Sequence, residues 1–152
     1  MMRKILYIDM DNVLVDFPTG IAALSDELKE AYKGNYDETP GIFSLMQPMK
    51  GAVQAVNALA EHYDIYVLST APWRNPSAWS DKLQWIQKYF GKEEDSPLYK
   101  RLILSHHKDL NRGDYLVDDR TKNGAENFQG GLILFGSEAY PDWDHVVRRL
   151  LH

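Results

Sequence analysis

The chain has 152 residues, 44% of them apolar, a size at which one domain with a continuous hydrophobic core is expected. Its formal net charge of −5 argues against a nucleic-acid polymer as partner, because such a surface needs clustered lysine and arginine. Cysteine is absent, so we expect neither disulfides nor thiolate metal sites. The apolar run at the N-terminus is too short for a signal peptide, and no run approaches the ~20 apolar residues of a membrane span. We therefore expect a cytoplasmic protein without a membrane partner.

Short apolar runs alternate with segments of helical spacing along the chain. Apolar residues recur at intervals of three and four residues in 51–62, in 77–90 and from Pro141 onwards. In 77–90 these residues are Trp79, Leu83, Ile86 and Phe90. Strands alternating with helices indicate an α/β fold, a three-layer, Rossmann-like parallel sheet with helices on both faces. The predicted strands are Ile5 to Ile8, Ile65 to Leu68, Leu102 to Leu104, Tyr115 to Val117 and Leu132 to Phe135.

The segment 18–48, after the first strand, does not fit a plain connection, which takes roughly 2 to 6 residues. Its spacing predicts one amphipathic helix, with Ile21, Leu24, Leu28 and Tyr32 on one stripe, followed by a Gly- and Pro-bearing stretch. We therefore predict an α/β core formed by 1–17 and 49–152, and a small helical cap formed by 18–48 that would act as a lid.

Two pairs of acidic residues follow predicted strands. Asp9 and Asp11 come after the first strand, and Asp118 and Asp119 come after another buried one. Parallel sheets place the carboxyl ends of their strands at one edge, so the pairs are expected to be neighbours. Two unit charges ~5 Å apart repel by roughly 3 kcal/mol at an effective dielectric near 20. Oxygen ligands without His or Cys suit Mg²⁺, which predicts a magnesium site and phosphoryl chemistry.

Two further residue types complete what a phosphoryl transfer needs. Ser69 and Thr70 end the second predicted strand, and their hydroxyl and backbone N–H groups could bind phosphate oxygens; Lys108 could neutralise developing charge. Singly, each feature is more often a turn, a helix cap or a solvated side chain. Their order and shared strand-end position favour a common site.

With these residues, the sequence resembles the haloacid dehalogenase (HAD) superfamily of phosphohydrolases. The D-x-D-x-V form of DMDNV, the Thr of LSTAP, the Lys of HHKDL and the D-D of LVDDR match its four motifs in order. Within the superfamily, DMDNVLVDF, PMKGAVQAV, LSTAP, WIQKYFG and LVDDR are most similar to the 5'(3')-deoxyribonucleotidases. Asn12 stands where Gly is frequent, and Asn tolerates the positive φ such a turn needs.

The resemblance implies roles for the acidic residues. Asp9 would be the nucleophile that forms an aspartyl-phosphate, and Asp11 would protonate the leaving group and then take a proton from water. Mg²⁺ would be bound by Asp9, the backbone carbonyl of Asp11 and Asp119, with Asp118 in support; which of Asp118 and Asp119 touches the metal stays open.

The resemblance also implies how a substrate would be bound. Thr70 and Lys108, with Ser69 beside them, would hold the phosphoryl group. Phe17 matches an aromatic residue that lines the substrate pocket of these enzymes, although a core contact is as good an explanation. Phe43 and Trp73 could stack on a base.

The resulting hypothesis is a Mg²⁺-dependent phosphatase, a monomer or homodimer, acting on a small phosphomonoester such as a 5'(3')-deoxyribonucleoside monophosphate. One alternative is a phosphatase of other or broad specificity, for instance for sugar phosphates. Another is a non-catalytic phosphate-binding or receiver-like module.

Overall fold

A computed structural model describes residues 2–152 of the chain, and Met1 of the predicted core lies outside them. Short 3₁₀ turns occur at 36–38, 42–44, 108–110 and 125–127. The strands are β1 (Ile5–Ile8), β2 (Val15–Asp16), β3 (Gln47–Pro48), β4 (Asp64–Ser69), β5 (Leu102–Leu104), β6 (Tyr115–Asp118) and β7 (Gly131–Leu134). The α-helices are α1 (Phe17–Ala22), α2 (Asp26–Ala31), α3 (Ala52–Leu59), α4 (Pro76–Phe90) and α5 (Trp143–Leu151).

Five strands form one parallel sheet in the order β5-β4-β1-β6-β7. All five predicted strands are confirmed, and the α/β class with them. The chain builds outwards from β1 through β4 to β5, then returns to the other side of β1 for β6 and β7. The order therefore reverses beside β1, the position at which such sheets bind ligands.

The two faces of the sheet are covered differently. Leu6, Ile8 and Val67 pack in the main core together with residues of α3, α4 and α5. Tyr7, Leu68 and Leu116 face a smaller cluster closed by the 125–127 turn and Phe128. The third layer is thus thin and made of turns. None of the helices in 2–152 is long and apolar enough to cross a membrane.

The buried face of α4 agrees with the predicted one in its second half and differs in its first half. Trp79 and Leu83, predicted to face the core, are 37% and 46% exposed. The buried face begins with Ala78 and Lys82 in their place and continues with Trp85, while Ile86 and Phe90 are buried as predicted. The prediction was wrong for Trp79 and Leu83, because a lysine occupies the centre of the buried stripe, where an apolar residue was assumed.

The inserted segment contains two short helices rather than the single predicted one. Ser25 interrupts the helical pattern, because its hydroxyl accepts a hydrogen bond from the Leu28 N–H at 3.2 Å and begins α2 as an N-cap. The ends of the insertion meet where β2 pairs with β3, Val15 opposite Pro48. We propose on this basis that 18–48 is the cap and that 1–17 and 49–152 form the core.

Helix α4 fixes the insertion to the core. Asn75, which precedes α4, is 1% exposed, and its side-chain amide donates to the carbonyls of Asp37 at 2.9 Å and Thr39 at 3.0 Å. Farther along, the Trp85 indole donates to the Met46 carbonyl at 2.9 Å. These bonds indicate that the cap is held in place and is not a freely moving lid.

Candidate active site

Asp9 lies immediately after the central strand and is 4% exposed. Its backbone N–H donates to the Val117 carbonyl of β6 at 2.9 Å, which continues the β1–β6 ladder by one residue. The following turn needs a left-handed residue, and Asn12 has φ 60°, as predicted for a tolerant asparagine. The fold thereby fixes the Asp9 carboxylate at the point where the strand order reverses.

Lys108 joins the two predicted acid pairs. Its ammonium contacts the Asp9 carboxylate at 3.1 Å and the Asp118 carboxylate at 2.6 Å, and it is 3% exposed. Burial alone would lower the pKa of Lys108, but the negative charges of Asp9 and Asp118 raise it above the ordinary value. The lysine therefore carries its positive charge at neutral pH.

A close backbone contact positions Lys108. Its N–H donates to the Asn123 carbonyl at 2.7 Å, and Gly124 follows with φ +87°. A Cβ atom at Gly124 would lie 2.2 Å from an Asp109 carboxylate oxygen and 2.8 Å from the Lys108 nitrogen. Only glycine permits this approach between the 108–110 turn and the loop after β6.

The acidic cluster can hold a metal ion. Asp9, Asp118 and Asp119 each offer a carboxylate oxygen, and these oxygens lie within 4.8 Å of one another. The two oxygens of Asp118 are engaged, one by Lys108 and one by the Arg120 N–H at 3.1 Å. One oxygen of Asp119 is instead buried without a hydrogen-bond partner. The donor set fits a hard cation, and Asp119 is the better direct ligand.

The electrostatics of the cluster support the same conclusion. Burial raises the pKa of Asp9 to about 7, against the attraction of Lys108 and with a further increase from the neighbouring Asp118 and Asp11. Burial also raises the pKa of Asp119 to about 6, with the charge of Asp9 as the next cause. A divalent cation would relieve this crowding of negative charge.

Asp11 lies beside this cluster and makes a different contact. Its carboxylate is 20% exposed and accepts a hydrogen bond from the Lys82 ammonium at 3.2 Å. Lys82 is fully buried and was absent from the predicted site. A lysine four residues after Ala78 and three before Trp85 is the signal in the sequence, since those positions share one helical face.

The predicted phosphate-binding residues are placed as follows. Ser69 is fully buried and its hydroxyl accepts from Lys82 at 2.7 Å. The Thr70 hydroxyl donates to the Ser105 carbonyl at 2.8 Å, so it would have to turn away from this carbonyl to donate to a phosphate oxygen. Thr70 and Lys108 remain proposed phosphate ligands, whereas Ser69 supports Lys82.

A cleft of about 370 Å³ opens beside the acidic cluster, which is large enough for a small ligand. Phe17 borders it, and its contact with a substrate stays a prediction. Phe43 is 2% exposed and packs edge-on against Phe17, with ring centroids 5.9 Å apart, so it lies behind the cleft wall. The cleft is lined by Asp11, Phe17, Tyr36, Asp37, Asp119 and Arg120, among others.

Trp73 lies outside this cleft. It is 81% exposed and contacts the ring of His106. Tyr36 and Asp37 of the cap, and Arg120, take the cleft positions that the sequence prediction had given to Phe43 and Trp73. A larger groove of about 530 Å³ runs between α4 and β5, but its walls are Trp79, Leu83 and their neighbours, and the acidic residues are not among them. We therefore place the site at the smaller cleft.

Comparison with known proteins decides the family. Residues 26–149 match the sequence model of the family described as 5' nucleotidase, deoxy (pyrimidine), cytosolic type C. The chain belongs to this nucleotidase family. A protein of Vibrio phage KVP40, provisionally named a 5'(3')-deoxyribonucleotidase, is 58% identical over 148 residues, which cover 97% of this chain and 85% of the relative.

Other relatives of the nucleotidase agree with this placement. A 5'(3')-deoxyribonucleotidase of Bacillus subtilis is 25% identical over 186 residues, with 99% of this chain and all of the relative covered. The fold is also that of YfnB from Bacillus subtilis, provisionally a HAD hydrolase and solved with magnesium, with a TM-score of 0.62 at 11% identity and 99% of each chain covered. The predicted membership of the HAD superfamily is confirmed.

Proposed function

We propose that this nucleotidase is a Mg²⁺-dependent phosphatase that hydrolyses a 5'(3')-deoxyribonucleoside monophosphate through an aspartyl-phosphate intermediate. The observation that carries the proposal is the buried Asp9 carboxylate, which is paired with Lys108 and surrounded by metal-type oxygens beside an open cleft. The names of the relatives support a nucleotide as the substrate.

The first step transfers the phosphoryl group to the protein. An oxygen of Asp9 bonds to phosphorus while the bond from phosphorus to the nucleoside oxygen breaks, and Asp11 gives its proton to that departing oxygen. Lys108 and Thr70 would balance the charge on the transferred group. A magnesium ion held by Asp9, Asp119 and the Asp11 carbonyl, with Asp118 in support, would supply further positive charge at the phosphate.

The second step restores the enzyme. Asp11, now ionised, removes a proton from a water molecule whose oxygen bonds to phosphorus, and the bond from phosphorus to Asp9 breaks. Inorganic phosphate leaves, and Asp11 is again protonated for the next substrate. Splitting the hydrolysis in this way replaces one difficult displacement by two easier ones.

Phosphate release from dUMP and dTMP, with and without Mg²⁺, tests the proposal. The wild-type protein is expected to release phosphate only with the metal, and Asp9→Asn is expected to lose the activity. Asp16→Asn is the matched control, because Asp16 lies on β2 outside the acidic cluster. Turnover by Asp9→Asn at the wild-type rate would refute the assignment of Asp9 as the nucleophile.

A substrate panel separates the proposed specificity from the broader one. The nucleotides are compared with sugar phosphates at equal concentration and fixed Mg²⁺. A preference for sugar phosphates in kcat/KM would contradict the nucleotide assignment while leaving the phosphatase chemistry intact.

A further inference from the structure

Lys82 is a buried cation next to the residue that would move the proton. It is 0% exposed and its ammonium makes three hydrogen bonds, to the Asp11 carboxylate at 3.2 Å, the Ser69 hydroxyl at 2.7 Å and the Thr70 carbonyl at 3.0 Å. An ammonium group has three donors, so each of them is used. The ammonium also lies over the Phe43 ring, whose centroid is 4.6 Å from Nζ.

A charge at this position has no advantage for packing. Its neighbours on the buried face of α4 include Ala78 and Trp85, which are apolar or donate to backbone. A methionine has a similar length and could fill the same space without the desolvation that a buried charge suffers. The charge therefore points to an electrostatic task, and its ion-pair partner is Asp11.

The geometry fixes one oxygen of Asp11 and leaves the other for chemistry. Lys82 holds Oδ1, and Asp11 borders the cleft, so Oδ2 is the oxygen available to a reacting group. The ammonium is itself held by Ser69 and Thr70 at the end of β4. Asp11 is thus oriented by the neighbouring strand through Lys82, across 71 residues of sequence.

We propose that Lys82 is a positioning residue for proton transfer by Asp11. By holding Oδ1 it keeps Oδ2 directed at the oxygen that leaves phosphorus in the first step, and at the attacking water in the second. This inference rests on the proposed phosphatase function, and it adds to that function a residue which acts through Asp11 without touching the phosphate.

Leaving-group dependence distinguishes positioning from a structural role. The departing alkoxide of dUMP needs a proton, whereas p-nitrophenolate and acetate are stable anions that do not. The value of kcat/KM reports the steps up to leaving-group departure. In Lys82→Met, kcat/KM is expected to fall about 100-fold for dUMP and less than about threefold for p-nitrophenyl phosphate, or for acetyl phosphate if the aryl ester is not turned over.

The controls separate this effect from damage to the fold. Lys88→Met removes an exposed lysine from the same helix and is expected to leave both substrates unaffected. In an Asp11→Asn background, Lys82→Met is expected to cause no further loss with dUMP, because the two residues act as a unit. Circular dichroism and thermal unfolding verify that each variant is folded.

Two results would overturn the inference: an equal loss with both kinds of substrate, or full activity of Lys82→Met towards dUMP. If Lys82→Met does not fold, Lys82→Arg decides by the same comparison, because a planar guanidinium cannot reproduce the three bonds of the ammonium. Absence of phosphate release by the wild-type protein would overturn the proposed function, and the inference with it. Equal losses in the variant would overturn the inference alone.

Discussion

Asp119 differs from the other acidic residues beside β1 in its hydrogen bonding. One of its oxygens is buried without a partner, and burial raises its pKa to about 6. Asp9, whose pKa burial raises to about 7, lies in the same cluster. Both values exceed the ordinary carboxyl pKa, so ionisation of these groups works against the folded state when no cation is bound.

The pH dependence of stability follows from these shifts. Between pH 3.8, the ordinary carboxyl pKa, and about pH 7, the folded protein binds more protons than the unfolded chain. The unfolding free energy without metal therefore falls as the pH rises through this window. Mg²⁺ needs ionised ligands. At a Mg²⁺ concentration 100 times the dissociation constant, binding should add about 2.7 kcal/mol to the unfolding free energy at pH 8 and nearly nothing at pH 5. Urea unfolding with and without Mg²⁺ measures both values.

Asp119→Asn identifies the group responsible. This variant is expected to lose most of the Mg²⁺ stabilisation at pH 8, while Asp16→Asn keeps it. A Mg²⁺ effect of the same size at pH 5 and pH 8, or one unchanged in Asp119→Asn, would contradict the assignment of the cation to this cluster.

Gly124 tests how closely Lys108 must be placed. Gly124→Ala and Gly136→Ala both put a side chain at a left-handed φ, +87° and +86°, which should cost each about 1–2 kcal/mol of unfolding free energy, and the clash at Gly124 should add to the cost there. Only the first puts a Cβ against the Lys108 backbone, since nothing lies within 4 Å at Gly136. We expect kcat to fall about 100-fold in Gly124→Ala alone. Equal kcat values in the two variants would show that the contact is not needed.

Helix α4 connects the cap, Asp11 and the core. Its N-terminal end holds the cap through Asn75, its middle presents Lys82 to Asp11, and Trp85 bonds to the cap again. A single element therefore sets both the cleft wall and the orientation of Asp11. Changes at its N-terminal end and in its middle should have different consequences for binding and for chemistry.

Asn75→Ala probes the binding end of α4. The change leaves the Asp37 and Thr39 carbonyls without their donor, which should lower the unfolding free energy by about 1–3 kcal/mol. Because Asp37 borders the cleft, KM for a nucleotide is expected to rise more than kcat falls. Steady-state kinetics and urea unfolding measure this, with Ser80→Ala, an exposed residue of the same helix, as control. A loss confined to kcat would contradict the prediction.

The sequence was informative where local patterns decide the structure. The five sheet strands are continuous apolar runs bounded by polar residues, and the four motif positions follow such strands. It failed in the cap and in the first half of α4, where long-range contacts decide. Ser25 could be assigned as a helix start only once the break before α2 was seen, and Lys82 is explained by acceptors that are distant in the sequence.

The whole molecule has one main core that includes the cap. Leu24, Ile42, Phe43 and Met46 of the insertion belong to the same buried cluster as Leu6 of β1. A separate lid would bury its apolar residues within itself and meet the core across a more polar interface. The continuity of the core predicts that cap and sheet unfold in one cooperative transition.

Native-state hydrogen exchange, measured by mass spectrometry on peptides, tests whether cap and sheet unfold together. The slowest amides of 42–46, beside α4, should open with nearly the same free energy as those of β1, because both require loss of the shared core. The exposed helix α2 should exchange faster, since none of its residues is buried. Unfolding in urea should give coincident transitions by fluorescence and circular dichroism. If the 42–46 amides open several kcal/mol more easily than β1, the cap is an independent lid and product release could be limited by its motion.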